Sequence, residues 1–167
     1  PYDMSRDYAR AVREADLVYV GGGNTPAMVA VWREFGFDAQ LRAAYEQGTL
    51  IAGISAGANC WFEQYVTDSV PGGGVRRGLG WLPGTFCPHL DSEPWRQPVL
   101  AAQAAPAVGA GDHVMVRYDD EQWCEALHTH QAAALCLRRR VGEAEVCAVQ
   151  PRALVDAPRG GVGAGDA

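Results

Sequence analysis

Residues Thr49 to Trp61 read TLIAGISAGANCW, and the rest of the chain is arranged about them. A short apolar run, Leu50-Ile51-Ala52 with Ile54 beyond a glycine, ends at Ser55, and Gly53 and Gly57 complete the pattern G-x-S-x-G. That spacing fits a sharp strand-to-helix turn, because a serine held there projects its hydroxyl from strained backbone and a bulky neighbour two residues away would clash. A helix beginning at Ala56 aims free N–H groups and the positive end of its dipole at the serine, which suits a developing oxyanion. In a chain with 20 glycines the pentapeptide also arises as an ordinary tight turn, so the strand before and the helix after are what favour a nucleophile.

Upstream, Ser5 to Glu14 sets Tyr8, Ala9 and Val12 at helical spacing and runs into Asp16 to Val20, an apolar β-branched run of strand length. Gly21-Gly22-Gly23-Asn24-Thr25-Pro26 stops that strand and starts a helix whose buried face is Met28, Val31, Trp32 and Phe35. A second helix spans Asp38 to Gln47, with Gly48 as its C-cap. Strands alternating with helices predict an α/β fold with a mostly parallel, doubly wound sheet. Ligands in such sheets sit beyond the carboxyl ends of the strands, which puts the Gly21–Asn24 loop and Ser55 on one rim.

Downstream, Glu63 to Gly80 reads as a long loop with Pro71 and three glycines, suited to a flap over a site. His89 follows Cys87-Pro88 at a strand end, and Asp91 to Arg96 leads into a helix through the Ala-rich Val99 to Ala107. Strands are expected at His113 to Tyr118, Trp123 to His130, Ala134 to Arg138 and Glu145 to Val149, with the acidic turn Asp119-Asp120-Glu121 between the first two. One domain over 1–156 and a disordered Gly/Ala-rich tail over 157–167 complete the expectation.

Composition removes several chemistries. The net charge is −6 and no basic stretch exceeds Arg138 to Arg140, which argues against a nucleic-acid partner. All 14 basic residues are Arg, so P-loop, pyridoxal Schiff-base and Ser-Lys chemistry lack their lysine. The five cysteines form no C-x-x-C pair and read as buried apolar side chains of a reduced cytoplasmic protein. With no apolar run of about 18 residues and no secretory leader pattern, no membrane partner is expected. No cofactor is implied. His128 and His130 form H-x-H, but a third metal ligand is not evident.

A serine hydroxyl needs a base, and the base needs an acid to fix its tautomer. Of four histidines, His89 has the position that fits best, at a strand end where proline fixes the approach of the chain.

Four motifs then stand in order: GGGNT (Gly21 to Thr25), GISAGANCWFE (Gly53 to Glu63), GLGWLPGTFCPH (Gly78 to His89) and DSEP (Asp91 to Pro94). Together they resemble the peptidase E family of aspartyl dipeptidases, which includes cyanophycinase-like relatives. The resemblance implies a serine hydrolase on a class I glutamine-amidotransferase-like α/β fold. It implies Ser55 as nucleophile, His89 as base, and an oxyanion hole from the N–H groups of Ala56 and Gly23, with Gly22 beside it. The acid it implies is Asp120, with Asp119 one residue off; a cyanophycinase-like arrangement would use Asp68 or Glu63 instead. Preference for an N-terminal aspartate calls for a bidentate Arg, for which Arg96 comes first and Arg76 and Arg77 next, with Asn24 in the glycine loop as a further substrate contact.

The chain departs from the family pattern ahead of Ser5, where relatives place a strand and helix, so an open sheet edge or a homodimer covering it is expected. It also carries Glu121 where a glycine is usual. The reading is a serine peptidase cleaving short peptides with an N-terminal acidic residue through an acyl-enzyme. Its alternatives are another acyl-transfer enzyme, such as an amidohydrolase or cyclase, using the same triad, and a catalytically idle binding module.

Overall fold

The computed structural model describes residues 8–129 and 135–154; the expected tail and His130 lie outside them. Helix α1 (Tyr8–Arg13) leads into strand β1 (Leu17–Val20), helices α2 (Thr25–Glu34) and α3 (Phe37–Glu46) follow, and β2 (Leu50–Gly53) ends at the single turn α4 (Ala56–Asn59). Strands β3 (Phe62–Thr67), β4 (Gly74–Arg77) and β5 (Leu82–Cys87) come next, then helix α5 (Arg96–Ala101) and β6 (Ala107–Ala110). The chain closes with β7 (Val114–Asp119), β8 (Gln122–His128), β9 (Cys136–Arg139), β10 (Cys147–Val149) and β11 (Arg152–Ala153). No helix among the described residues is long and apolar enough to cross a membrane.

The strands form three sheets: β1-β2, then β10-β9-β6-β5-β3-β4, then β11-β8-β7. Pairing is parallel for β1–β2, β3–β5, β5–β6 and β11–β8. It is antiparallel for β3–β4, β6–β9, β9–β10 and β7–β8. The fold is therefore mixed α/β, where the sequence pointed to a mostly parallel sheet. On β1–β2, Leu17, Tyr19 and Leu50 are exposed.

Two elements differ from expectation for physical reasons. The stretch Glu63 to Gly80 is no flap: β3 and β4 pair through it, with Tyr65 and Val66 fully buried, and its loops are the glycine-rich turn between them and the short Gly78-Leu79-Gly80 that follows. Both faces of β3 are covered at Tyr65, Val66 and Thr67, so it lacks the alternation that marks a half-exposed strand. The Ala-rich helix also stops early. Proline 106 cannot continue it, and the Ala-Val-Gly-Ala run behind that proline is the fully buried β6. Gly109 leaves room there for the side chains of Leu90 and Leu100, whose methyl groups a Cβ would meet at 2.8 and 2.5 Å.

Aromatic packing fills the main core. Phe62 stacks on Phe86 at 4.8 Å and meets Tyr118 edge-on at 5.6 Å, and Trp61 lies against Trp81 and Trp32 at 4.8 and 5.9 Å. Burial of this kind supplies the main favourable term in folding and anchors β3 and β5, whose far ends carry the site residues. Of the cysteines, Cys60, Cys87 and Cys136 are buried as expected, whereas Cys124 and Cys147 are exposed.

Candidate active site

Ser55 sits between β2 and α4 at φ 54° and ψ −112°, a left-handed conformation uncommon for a residue with a side chain. The glycines around it explain how the chain holds that turn. A Cβ on Gly53 would collide with the carbonyl of Gly57, and a Cβ on Gly57 would collide with the carbonyl of Val20, so α4 rests directly on the ends of β1 and β2. Replacing Gly57 with alanine is expected to destabilise the protein by about 1–3 kcal/mol through overpacking against backbone that cannot yield. A thermal melt showing unchanged Tm would contradict this. Gly22 comes close on the other side: a Cβ there would stand 3.4 Å from Cβ of Ser55. The glycine loop after β1 and the serine after β2 thus meet at one end of the parallel pair.

His89 follows β5 and Pro88, with φ 57°. Ser55 Oγ donates to His89 Nε2 at 2.9 Å, and His89 Nδ1 donates to Asp112 Oδ1 at 2.5 Å. The carboxylate accepts only, so the ring proton belongs on Nδ1 and leaves Nε2 as acceptor for the hydroxyl. Hydrogen bonding from His89 holds the Asp112 carboxyl below its ordinary range, helped by the bond with Ser92 and opposed by burial. A carboxyl so held contributes stability above its unfolded pKa and loses it as pH falls through the lowered value.

Asp112 itself is placed by Asp91. Oδ1 of Asp91 accepts from the N–H of Asp112 at 3.0 Å and from that of Ser92 at 2.9 Å, and the intervening Gly111 packs so closely on this carboxylate that a Cβ would collide with it. Such an array can take a proton from the serine hydroxyl, hold it on the imidazole and return it to a leaving group.

The sequence-predicted acids lie elsewhere. Asp120 occupies the β7–β8 turn at φ 47°, and neighbouring Asp119 pairs with Arg117 at 3.0 Å. Glu63 accepts from the N–H of Gly84 at 2.8 Å, and Asp68 faces Arg96 at 3.3 Å. The carboxylate against His89 is Asp112, which sequence reasoning missed. Its signal was the run Ala107 to Gly111, small residues of a buried strand ending in an acid at the carboxyl rim.

Two cavities flank Ser55 and share Pro88 and His89. One, of about 170 Å³, is polar and is lined by Gly23, Ala56, Asn59, Asp68, Glu93 and Arg96 among others. The other, of about 260 Å³, has Ile54, Ala58, Phe86, Ala110 and Val114 in its walls. Arg96 is only 3% exposed. It donates from Nε to Glu93 at 2.9 Å and from Nη1 to the carbonyl of Val66 at 3.1 Å. Its third contact is the longer pair with Asp68, a side chain that is 61% exposed.

Other proposed substrate contacts stand outside this cavity. Asn24 caps α2 by accepting from the N–H of Ala27 and ties the loop to the carbonyl of Ser69, so both ends of its amide are engaged. Arg76 and Arg77 lie on β4 and line neither cavity. His128 is buried in β8, and no group of three or more metal-ligating side chains occurs among the described residues. Burial pushes the Cys87 thiol up to about 12 and that of Cys60 higher still, so both remain protonated packing groups.

Fold and site together define a mixed α/β protein carrying a Ser-His-Asp array at the rim of its strands. The model of peptidase family S51 matches residues 3–126, and the chain belongs to that family. It is 50% identical over 94 residues to an uncharacterized peptidase, YgaJ, of Bacillus subtilis strain 168, a match covering 56% of this chain and 41% of the relative. It is 45% identical over 53 residues to a peptidase E of Citrobacter koseri, covering 32% of this chain and 23% of the relative. The chain thus matches less than half the length of either relative.

Proposed function

We propose that this chain acts as a serine peptidase on short peptides, forming an acyl-enzyme at Ser55. The unbroken contact chain Ser55–His89–Asp112 is the observation that carries the reading. Ser55 Oγ attacks the scissile carbonyl while His89 Nε2 takes its proton and then returns it to the leaving amine; water repeats the sequence to free the acid. Asp112 keeps the imidazole in the productive tautomer. The turn at Ser55 works as a nucleophile elbow, and the N–H groups of Ala56 and Gly23, beside Gly22, hold the oxyanion.

An N-terminal aspartate is the favoured first residue in this reading. Among the described residues Nη2 of Arg96 pairs with Asp68 alone, a side chain that is 61% exposed and reaches it at 3.3 Å, so a substrate carboxylate can take that place on the buried guanidinium. Rates of hydrolysis of Asp-Leu, Ala-Leu and Lys-Leu, followed by released leucine, test the reading. Cleavage of Asp-Leu well above the other two is expected; no cleavage of any dipeptide by a folded protein would favour another acyl-transfer substrate.

A further inference from the structure

His89 and Asp112 each stand just past the carboxyl end of a strand, β5 and β6, and those strands are parallel neighbours. Their hydrogen bond therefore depends on how two rim loops sit against each other. Burial does not fix the pair, since the side chain of Asp112 is 39% exposed and that of His89 31%. A carboxylate so placed keeps its conformational freedom unless the backbone that carries it is anchored.

Main-chain bonds anchor the loop after β6 as far as Gly111. The carbonyl of Ala110 accepts from the N–H of Leu90 at 3.2 Å, the N–H of Gly111 donates to the carbonyl of Leu135 at 2.8 Å, and the carbonyl of Gly111 accepts from the N–H of Val114 at 3.1 Å. The next N–H, that of Asp112 itself, is taken by a side chain of the other loop: Oδ1 of Asp91 accepts it at 3.0 Å and accepts the N–H of Ser92 at 2.9 Å as well. Asp91 rides on the same tight turn as His89, which closes where the carbonyl of His89 accepts from the N–H of Glu93 at 2.9 Å. Gly111 marks the contact independently. The three atoms nearest a Cβ placed on it would all belong to the Asp91 carboxylate, Oδ2 first at 2.7 Å. The loop after β6 thus leaves open the space that this carboxylate fills.

We infer that Asp91 is a positioning residue of the active site, clamping the loop after β6 to the turn after β5 so that Asp112 faces Nδ1 of His89. Its role is that of an acceptor: one oxygen receives a main-chain N–H from each loop, and a carboxylate makes both bonds stronger than a neutral group would. Asp91 lines neither cavity beside Ser55, so it acts through Asp112 and governs turnover rather than substrate binding. The catalytic consequence rests on the reading of Ser55 as nucleophile; the placement of Asp112 does not.

Proton NMR of the resting protein, with histidine labelled with ¹⁵N, reads that placement without turnover. The Nδ1 proton of His89, bonded to Asp112, is expected far downfield in the unaltered protein and lost from Asp91→Ala. Hydrolysis of Asp-Leu by Asp91→Ala is expected to fall by about 10²-fold in kcat with KM unchanged, the scale on which a displacement of about 1 Å at a reacting group acts. Asp91→Asn, whose Oδ1 can accept both N–H groups, should restore the resonance and recover kcat to within about fivefold. A merely structural role would move Tm and leave the resonance and kcat of the folded protein in place. Should Asp91→Ala not fold, Gly111→Ala reaches the same contact from the opposite loop, pushing the carboxylate away, and should likewise lose the resonance. Folded Asp91→Ala and Gly111→Ala proteins that keep both the resonance and kcat would overturn the inference. So would an Asp91→Asn protein as impaired as Asp91→Ala, which would make charge the operative feature. Fluorophosphonate labelling of the unaltered protein reports separately on Ser55 as a nucleophile.

Discussion

Replacing Ser55 with alanine is expected to lower kcat/KM for Asp-Leu by about 10⁶-fold, the scale on which serine hydrolases lose activity when the nucleophile is removed. The hydroxyl is the group that would bond to the substrate carbon, and the ring nitrogen 2.9 Å away has no other proton to take from the protein at that point. Loss of a single oxygen from a site that opens on two cavities leaves the packing of β2 and α4 in place, so the circular dichroism and Tm should be unchanged. A variant that keeps most of its rate would place the chemistry on another residue.

The second large effect concerns the acid. Asp112→Asn is expected to reduce kcat by about 10⁴-fold, because an amide N–H₂ facing Nδ1 turns the imidazole to the tautomer with its proton on Nε2. Asp120→Asn should leave turnover within about twofold of the unaltered protein. Asp120 lies in the β7–β8 turn at φ 47°, and asparagine tolerates that conformation well, so stability should hold too. Dipeptide hydrolysis by the two purified variants, with melts to confirm folding, checks both halves. The reverse pattern, with Asp120→Asn silent no longer and Asp112→Asn fully active, would contradict the geometry at His89.

How far the sequence carried the fold depended on how local the determinants were. Ser55 was legible because its requirement is written beside it: Gly53 and Gly57 have no room for a side chain, and both lie within two residues of the serine. The glycine loop after β1 and the capped helix behind it were legible for the same reason, with Asn24 and Pro26 acting as start signals. Helices α2 and α3 lie within a residue or two of where the sequence puts them, but of the expected buried face of α2 only Met28 and Trp32 pack on the core, Val31 and Phe35 being exposed and Val29 buried instead.

What failed was non-local. Strand β3 is set by its hydrogen-bonded neighbours β4 and β5 and by the burial of both its faces at Tyr65 to Thr67, and nothing in Phe62 to Thr67 announces that. Strand β6 resembled a helix because alanine favours one, while the close approach of Leu90 and of Leu100 in α5 to Gly109 is a property of the folded chain. Misreading β6 concealed Asp112, which follows it by two residues and is oriented by a carboxylate 21 positions earlier in the chain. The expected substrate contacts suffered likewise: Asn24 and Arg96 were recognised as polar residues near the rim, but their engagement with Ser69, Glu93 and Val66 is a property of the folded chain.

The proposed activity depends on Ser55 acting as a nucleophile activated through His89 and Asp112. Intact-mass spectrometry of the folded protein after treatment with diisopropyl fluorophosphate, followed by peptide mapping, tests it most directly. The predicted result is one phosphoryl adduct located on Ser55, absent from Ser55→Ala and formed far more slowly by Asp112→Asn. A folded protein that remains unlabelled, or carries its adduct on a different residue, would contradict it.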